Sequence, residues 1–145
     1  MIVTGKCYCT AVSYSFHTEA APAVYACHCR DCQTRSGSAF ALHSLLPADK
    51  LKVTGPLQTC THDSNGQRSE HRLCSLCHTR IYNTTTAAPG LCVLRAGTLD
   101  DSPSSQPVAH IWLKHKQPWL VLAESPAHWQ ESPTPEQFAL ALAAC

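Results

Sequence analysis

The stretch with the strongest chemical character holds three thiols in six residues, Cys27-His28-Cys29-Arg30-Asp31-Cys32. A Cys-x-x-Cys pair can hold two corners of a zinc tetrahedron, and a third nearby thiol can add another. Structural zinc has four protein ligands, whereas a zinc with three keeps one position for water or substrate. His28 is a poor fourth ligand, because it lies between two thiols and its side chain is expected to point away from theirs. The cluster is therefore a candidate reactive site.

Ten cysteines are present among the 145 residues. Seven form three tight clusters, Cys7-x-Cys9, Cys27-x-Cys29-x-x-Cys32 and Cys74-x-x-Cys77, and the isolated ones are Cys60, Cys92 and Cys145. In a reducing compartment this spacing favours metal over a disulfide framework. We expect the cytoplasm, because the N-terminal residues lack the apolar stretch of a signal peptide and no window reaches the length of a transmembrane helix.

The seven clustered thiols divide into a set of four and a set of three. The second Cys-x-x-Cys pair needs two further ligands, and the N-terminal Cys-x-Cys pair can supply them from a distant strand. The alternative, in which the central cluster takes one N-terminal cysteine, leaves a lone thiol and breaks the second pair. We therefore expect two zinc ions per chain. The closed structural set is Cys7, Cys9, Cys74 and Cys77, and the open reactive set is Cys27, Cys29 and Cys32.

Length and composition are typical of one soluble globular domain over residues 1–145, with 44% hydrophobic and 14% charged residues. The formal net charge is +1, and lysine and arginine are scattered along the chain. This charge pattern argues against nucleic acid or an anionic membrane as a partner.

Short β-strands are predicted around the thiols. Val12, Tyr14 and Phe16 alternate with small or polar residues, which is the period of a half-buried strand. Asn65-Gly66 is a strong hairpin signal because both residues accept positive φ, and the second arm of this hairpin leads into Cys74. Further strands are expected at residues 22–26, 39–46, 91–95, 108–113 and 119–122, with a turn at 34–38.

The C-terminal segment has a helical pattern instead. Thr134-Pro135-Glu136-Gln137 combines an N-cap, proline at the first helical position and glutamine three residues after the cap. We expect a helix over about residues 134–144. The predicted fold class is mostly β, with many short antiparallel strands and one C-terminal helix.

Five segments follow one another along the chain in a recognisable order. They are Gly5-Lys-Cys7-Tyr-Cys9, Cys27-His-Cys29-Arg-Asp-Cys32 with Ser36-Gly37-Ser38-Ala39-Phe40, Arg72-Leu-Cys74-Ser-Leu-Cys77, Gly97-Thr-Leu-Asp-Asp101 and His110-Ile-Trp-Leu-Lys114. Together they resemble the glutathione-dependent formaldehyde-activating enzyme family, also called centromere protein V-like. The similarity runs from about residue 3 to residue 126. It implies a β-tent fold, a structural zinc on the four-cysteine set and a catalytic zinc on the three-cysteine set.

The resemblance also implies an activity, that of a carbon–sulfur lyase or synthase. Such an enzyme joins glutathione and formaldehyde to S-hydroxymethylglutathione, or acts on a related glutathione–aldehyde adduct. The expected partners are glutathione or another small thiol, and formaldehyde or another aldehyde. Two alternatives stay open, a non-catalytic thiol carrier and a structural zinc module that binds another macromolecule. The family usually has glycine at positions 10 and 78, where this chain has Thr10 and His78, and glycine suits a knuckle that needs positive φ.

Other residues that can do chemistry have a structural interpretation. We expect His28 to be solvent-facing or hydrogen-bonded, and His110 to be a core imidazole with satisfied hydrogen bonds. Asp31 either supports the cluster or caps a turn. The residues assigned to packing, turns or plain buried or terminal thiols are Trp112, Trp119, Asp100, Asp101, Cys60, Cys92 and Cys145.

Overall fold

Short strands dominate the computed structural model, which describes residues 1–124 and 126–144. In these residues the strands are β1 (Ile2–Lys6), β2 (Ser13–His17), β3 (Val24–Cys27), β4 (Ala41–Pro47), β5 (Lys52–Thr54), β6 (Leu57–Ser64), β7 (Gln67–Cys74), β8 (Arg80–Thr85), β9 (Leu91–Arg95), β10 (Pro107–Ile111) and β11 (Ala127–His128), and the α-helices are α1 (Arg30–Ser36) and α2 (Pro135–Ala143). The predicted fold class, mostly β with a C-terminal helix, is confirmed.

The chain forms two units, each built from two separate stretches of sequence. Unit 1 comprises Met1–Pro22 and Ser44–Ser102, and unit 2 comprises Ala23–His43 and the described residues from Pro103 onward. The four-cysteine set lies in unit 1 and the three-cysteine set in unit 2. The organisation of the whole chain as a single domain stays a prediction.

Unit 1 contains an antiparallel sheet in the order β1-β2-β5. The predicted alternation is confirmed, since Val12, Tyr14 and Phe16 are at most 4% exposed. Gly5 on β1 lies against this buried row, and a Cβ there would come within 2.2 Å of the Tyr14 side chain. Only glycine permits this close approach. The packing of β1 in turn fixes the start of the segment that carries Cys7.

A second antiparallel arrangement in unit 1 runs in the order β9-β8-β7-β6. The hairpin predicted at Asn65-Gly66 joins β6 to β7, with φ values of 52° and 73° at its two central residues. Ser64 pairs with Gln67 on either side of the turn. Because β7 ends at Cys74, the register of this hairpin sets the position of the second Cys-x-x-Cys pair.

In unit 2, β10 lies between β3 and β11 and is parallel to both. This differs from the antiparallel arrangement expected for the whole chain. Ala26 pairs with His110, and Cys27 pairs with Ile111. Since parallel strands end at the same edge of a sheet, the residues that follow β3 lie beside those that follow β10. The three-cysteine segment therefore begins at the carboxyl ends of two neighbouring strands.

Helix α1 occupies part of the segment for which only a turn was predicted. It ends at Gly37, which has φ of 64° and donates its N–H to the carbonyl oxygen of Gln33, a common helix end. Gln33 is the one residue of α1 that is buried. A helix with no apolar stripe lacks the periodic signal that sequence reasoning needs, so this helix was missed.

Helix α2 begins as predicted. The N–H of Gln137 donates to Thr134 Oγ1 at 3.2 Å, and the N–H of Thr134 donates to Gln137 Oε1 at 3.0 Å. The ring of Phe138 packs edge-on against Tyr25, with 4.8 Å between centroids. The strand expected at residues 119–122 is absent, since these residues form a turn and irregular structure. Within the described ranges, neither α-helix has the length and apolar character needed to span a membrane.

Candidate metal centres

The four-cysteine set converges in unit 1. Cys7 and Cys9 lie in the turn after β1, Cys74 ends β7, and Cys77 lies in the turn before β8. The four sulfurs lie within 4.8 Å of one another, with 3.6 Å from Cys7 Sγ to Cys9 Sγ and 3.7 Å from Cys9 Sγ to Cys74 Sγ. Around a zinc with Zn–S distances of about 2.3 Å, the sulfurs of a regular tetrahedron are about 3.8 Å apart. The donor set therefore fits a tetrahedral zinc with four thiolate ligands.

Both cysteine pairs of this site sit on turns that use left-handed backbone. Thr10 has φ of 66° and donates its N–H to the carbonyl oxygen of Cys7, and His78 has φ of 61° and donates to that of Cys74. The N–H of Val12 donates to Cys7 Sγ at 3.3 Å. These are the two positions where the resembling family usually has glycine. The turns keep the geometry that glycine suits, although neither residue is glycine.

Hydrogen bonds and burial give the thiols of unit 1 different acidities. Thr79 forms a side-chain hydrogen bond with Cys77 Sγ, and its hydrogen bonds lower the pKa of Cys77 to about 5. Cys92 belongs to neither cluster, and burial raises its pKa to about 11. Ionisation is therefore favoured at the clustered Cys77 and opposed at the isolated Cys92, which is a core thiol as predicted.

The three-cysteine set converges in unit 2, where a strand passes into a helix. Cys27 is the last residue of β3, Cys29 is the N-cap of α1, and Cys32 lies in the first turn of that helix. Their sulfurs also lie within 4.8 Å of one another, and the N–H of Cys32 donates to Cys29 Sγ at 3.4 Å. Among the described residues, no histidine, carboxylate or further cysteine joins this group. The described residues thus offer three donors here and four in unit 1.

Negative charge in the three-cysteine set is favoured at the middle thiol. Hydrogen bonds from Cys27 and Cys32 lower the pKa of Cys29, and the backbone N–H groups of Asp31 and Cys32 lower it further. The pKa of Cys27 is raised by its hydrogen bonds with Cys29 and Cys32 and by burial. A sulfur at a helix N-cap faces backbone N–H donors, so its thiolate is the best stabilised of the three.

His28 is fully buried rather than solvent-facing. Its Nε2 lies 3.0 Å from His110 Nδ1, so the hydrogen-bonded alternative is confirmed, and His110 is the buried, hydrogen-bonded imidazole that was predicted. Burial lowers the pKa of His28 to about 4, with a smaller effect from the charges of His110, Lys116 and His128. Burial also lowers the pKa of His110. Both rings are therefore neutral near pH 7.

Sequence reasoning missed one buried residue beside the cluster. Gln33 is 8% exposed, and its Nε2 donates to the carbonyl oxygen of His28 at 2.7 Å and to that of His115 at 2.8 Å. Its Oε1 accepts from Gln117 Nε2 at 2.9 Å. A glutamine among polar neighbours gives no indication in the sequence that it is buried. Gln33 is buried in unit 2 because it lies on α1, the helix that the sequence did not predict.

None of the remaining candidates among the described residues joins the three sulfurs as a further donor, and one lies outside those residues. Asp31 lies in the first turn of α1, while Asp100 accepts from Thr4 Oγ1 at 2.7 Å and forms an ion pair with Lys6. Trp119 is 69% exposed, so its predicted packing role is wrong. Cys60 is exposed and is not a buried thiol. Cys145 lies outside the residues that the structure describes.

Comparison with known proteins decides the family. The sequence model of the glutathione-dependent formaldehyde-activating enzyme family matches residues 2–115. The chain belongs to this family. A relative from Halomonas elongata, provisionally named a glutathione-dependent formaldehyde-activating enzyme, is 26% identical over 128 residues, covering 84% of this chain and 82% of the relative. Both cysteine sets fall within the part of the chain that the family model covers.

A solved structure supports the fold. The crystal structure of a Rhodobacter sphaeroides protein aligns with a TM-score of 0.55 and 18% sequence identity, and covers 68% of this chain and 88% of that one. At this identity the likeness concerns the fold alone. The family membership thus rests on sequence, and the mostly β architecture on both sequence and structure.

Proposed function

We propose that this protein is a zinc-dependent carbon–sulfur lyase that forms S-hydroxymethylglutathione from glutathione and formaldehyde, or acts on a related glutathione–aldehyde adduct. The observation that supports this most directly is the difference between the two thiol sets. One set supplies four sulfurs, as structural zinc requires, and the other supplies three, as is usual for catalytic zinc. Family membership points to glutathione and formaldehyde as the substrates.

In this proposal each set has its own role. Cys7, Cys9, Cys74 and Cys77 hold a structural zinc in unit 1. Cys27, Cys29 and Cys32 hold a catalytic zinc in unit 2 and leave one tetrahedral position for a substrate atom. Zinc, when bound, supplies positive charge that lowers the pKa of a thiol, so that the thiol ionises near neutral pH.

The reaction itself needs few groups. The sulfur of glutathione forms a bond to the carbonyl carbon of formaldehyde, the carbon–oxygen π bond breaks, and the oxygen takes up the proton that the thiol lost. The chain contributes by holding Cys27, Cys29 and Cys32 convergent, so that the thiol is oriented toward its electrophile. Reduced glutathione and reduced cysteines both fit the cytoplasm as the compartment.

The experiment compares the rate of adduct formation with and without enzyme, because glutathione and formaldehyde also combine spontaneously. We expect the zinc-loaded protein to accelerate exchange between free and adduct formaldehyde, measured by NMR exchange spectroscopy at equilibrium. Cys29→Ala is the matched variant and should show only the spontaneous rate. Cys60→Ala, which removes an exposed thiol outside both sets, should keep the full rate.

Either of two other results would contradict this proposal and favour one of the two alternatives. Glutathione binding with no acceleration above the spontaneous rate indicates the thiol carrier. Failure of the protein to bind any small thiol, tested by cobalt(II) substitution and absorption spectroscopy with glutathione, indicates a purely structural zinc module. S-methylglutathione, which has no ionisable thiol, is the control ligand for that titration.

A further inference from the structure

His28, the residue between two of the three clustered thiols, is held at its backbone N–H, its backbone carbonyl oxygen and one of its two ring nitrogens. The N–H of His28 donates to the carbonyl oxygen of Ile111 at 3.0 Å. Its carbonyl oxygen accepts from Gln33 Nε2 at 2.7 Å, and its ring Nε2 lies 3.0 Å from His110 Nδ1. Because Cys27 and Cys29 are its direct neighbours in the chain, fixing His28 also fixes the backbone from which both sulfurs extend.

The two side chains that hold His28 are themselves buried and constrained. His110 is 4% exposed and lies on β10, and Gln33 is 8% exposed and lies on α1, next to Cys32. The amide of Gln33 is tied on both sides, since its Nε2 also donates to His115 and its Oε1 accepts from Gln117. A strand and a helix therefore meet at His28 through buried hydrogen bonds.

The direction of the ring hydrogen bond follows from the other nitrogen of His28. Nδ1 of His28 is buried and has no hydrogen-bond partner among the described residues. A buried N–H without an acceptor is rarer in proteins than a buried acceptor without a donor, so the proton belongs on Nε2. His28 then donates to His110 Nδ1, and His110 acts as the acceptor.

We propose that His110 and Gln33 are positioning residues for the three-cysteine site, which hold His28 so that Cys27 and Cys29 converge with Cys32 on one metal ion. The inference rests on the proposed function in that it takes this set as the catalytic metal site. Residues that orient metal ligands in this way typically change metal affinity or activity about 10–100-fold when replaced.

The test separates loss of the hydrogen bond from loss of packing. His110→Leu removes the acceptor, whereas His110→Asn keeps an acceptor oxygen near the position of Nδ1. His43→Leu is the matched control, because His43 is also a buried histidine of unit 2 but packs against Tyr25. The readouts are zinc affinity by competition with a chromophoric chelator, the absorption spectrum of the cobalt(II) protein, and a thermal melt. Cys32→Ala identifies the signal that comes from the four-cysteine set alone.

We expect His110→Leu to lower zinc affinity at the three-cysteine site about 10–100-fold and to shift its cobalt spectrum. His110→Asn should recover most of the affinity and the spectrum, and His43→Leu should lower only the melting temperature. Wild-type affinity and spectrum in His110→Leu would overturn the inference, as would an asparagine variant no better than leucine. If His110→Leu does not fold, Gln33→Met removes the second hydrogen bond to His28 and gives the same decision.

These readouts are independent of the proposed reaction. If the wild-type protein binds metal at the three-cysteine site but does not accelerate adduct formation, the proposed function fails and the positioning role can still be measured. If adduct formation is accelerated and His110→Leu keeps both its metal and its spectrum, the function stands and the positioning role is wrong.

Discussion

The four-cysteine and three-cysteine sets both consist of cysteine sulfurs, but they differ in how far apart those cysteines lie in the sequence. In unit 1 the sulfurs come from two turns far apart in sequence, and Cys9 and Cys74 are 65 residues apart. In unit 2 all three sulfurs come from six consecutive residues between a strand and a helix. A metal in unit 1 would close a long loop, and since such a site rarely exists in the unfolded chain, its binding free energy would favour the folded state. A metal in unit 2 would close almost no loop.

Because of this difference, we expect the four-cysteine set to contribute mainly to stability and the three-cysteine set mainly to activity. Structural zinc in small zinc peptides supplies about 10–16 kcal/mol at pH 7, as much as the whole net stability of many domains. In the proposed roles, closing the long loop would add that free energy to the stability of unit 1. The three-cysteine segment of unit 2 is instead held by hydrogen bonds from β10 and α1. We therefore expect the folding of unit 2 to depend less on metal binding.

The largest effect is therefore expected from removing one ligand of the four-cysteine set. Cys74→Ala should unfold or severely destabilise the chain, because Cys74 is fully buried and joins two distant segments. Cys29→Ala removes one ligand in the same way from the other set, and it should keep the fold and lose activity. Circular dichroism and thermal melts of both variants, with metal content measured on the same samples, make the comparison.

Equal melting temperatures for these two variants would break the comparison. If Cys29→Ala melts as low as Cys74→Ala, the three-cysteine set is structural and the assigned roles are wrong. Graded addition of a chelator to the wild-type protein tests the same comparison independently. The three-cysteine site should release its metal first and without unfolding, and the four-cysteine site later and together with loss of ellipticity.

The composition of the two candidate sites could largely be predicted from the sequence. The spacing of a chelating cysteine pair is a local feature that can be recognised without knowing the fold. The structure brings together the same two groups of sulfurs that spacing had separated. The hairpin at Asn65-Gly66 and the capped start of α2 were also predictable, since each depends on local backbone chemistry. Zinc itself, its number and the roles of the two sets stay predictions.

What could not be predicted depends on contacts between distant residues. Helix α1 is short and polar, and its single buried residue, Gln33, is recognisable only from its partners in the folded unit. The parallel pairing of β10 with β3 places His110 against His28, 82 residues away. No local propensity indicates such a contact. The exposure of Trp119 shows the reverse error, in which a large aromatic residue was assigned to packing by type alone.

An intermediate effect is expected at Thr10, in the first turn of the four-cysteine site. Thr10 is exposed and has φ of 66°, a conformation that costs an L-residue about 1–2 kcal/mol. Thr10→Gly relieves that strain but adds about 0.4–1 kcal/mol of unfolded-chain entropy. The net stabilisation should be about 1 kcal/mol, or roughly 2–4 °C in Tm. Thermal melts of the metal-loaded protein measure it, and a lower Tm would show that the threonine contributes something beyond its backbone.

Ala11→Gly is the matched control for that substitution. Ala11 is also exposed and follows Thr10 directly, but it is not among the described residues with positive φ. Only the entropy of the unfolded chain changes there, so Ala11→Gly should destabilise by about 0.4–1 kcal/mol. Opposite signs at neighbouring positions would tie the gain at Thr10 to backbone strain. Zinc affinity at the three-cysteine site should stay the same in both variants.

The smallest effect is expected at His78, the equivalent position of the second turn. His78 is also exposed and has φ of 61°, and its N–H makes the same kind of bond, to the carbonyl oxygen of Cys74 at 2.9 Å. Histidine enters the left-handed region several-fold more often than most residues, whereas a β-branched residue such as threonine is a true outlier there. The strain that His78→Gly relieves should therefore be close to the entropy it adds, with a net change within about 0.5 kcal/mol of zero. Thermal melts of His78→Gly beside Thr10→Gly measure the difference. A gain at His78 as large as that at Thr10 would mean that the turn, and not the side chain occupying it, sets the strain of the four-cysteine site.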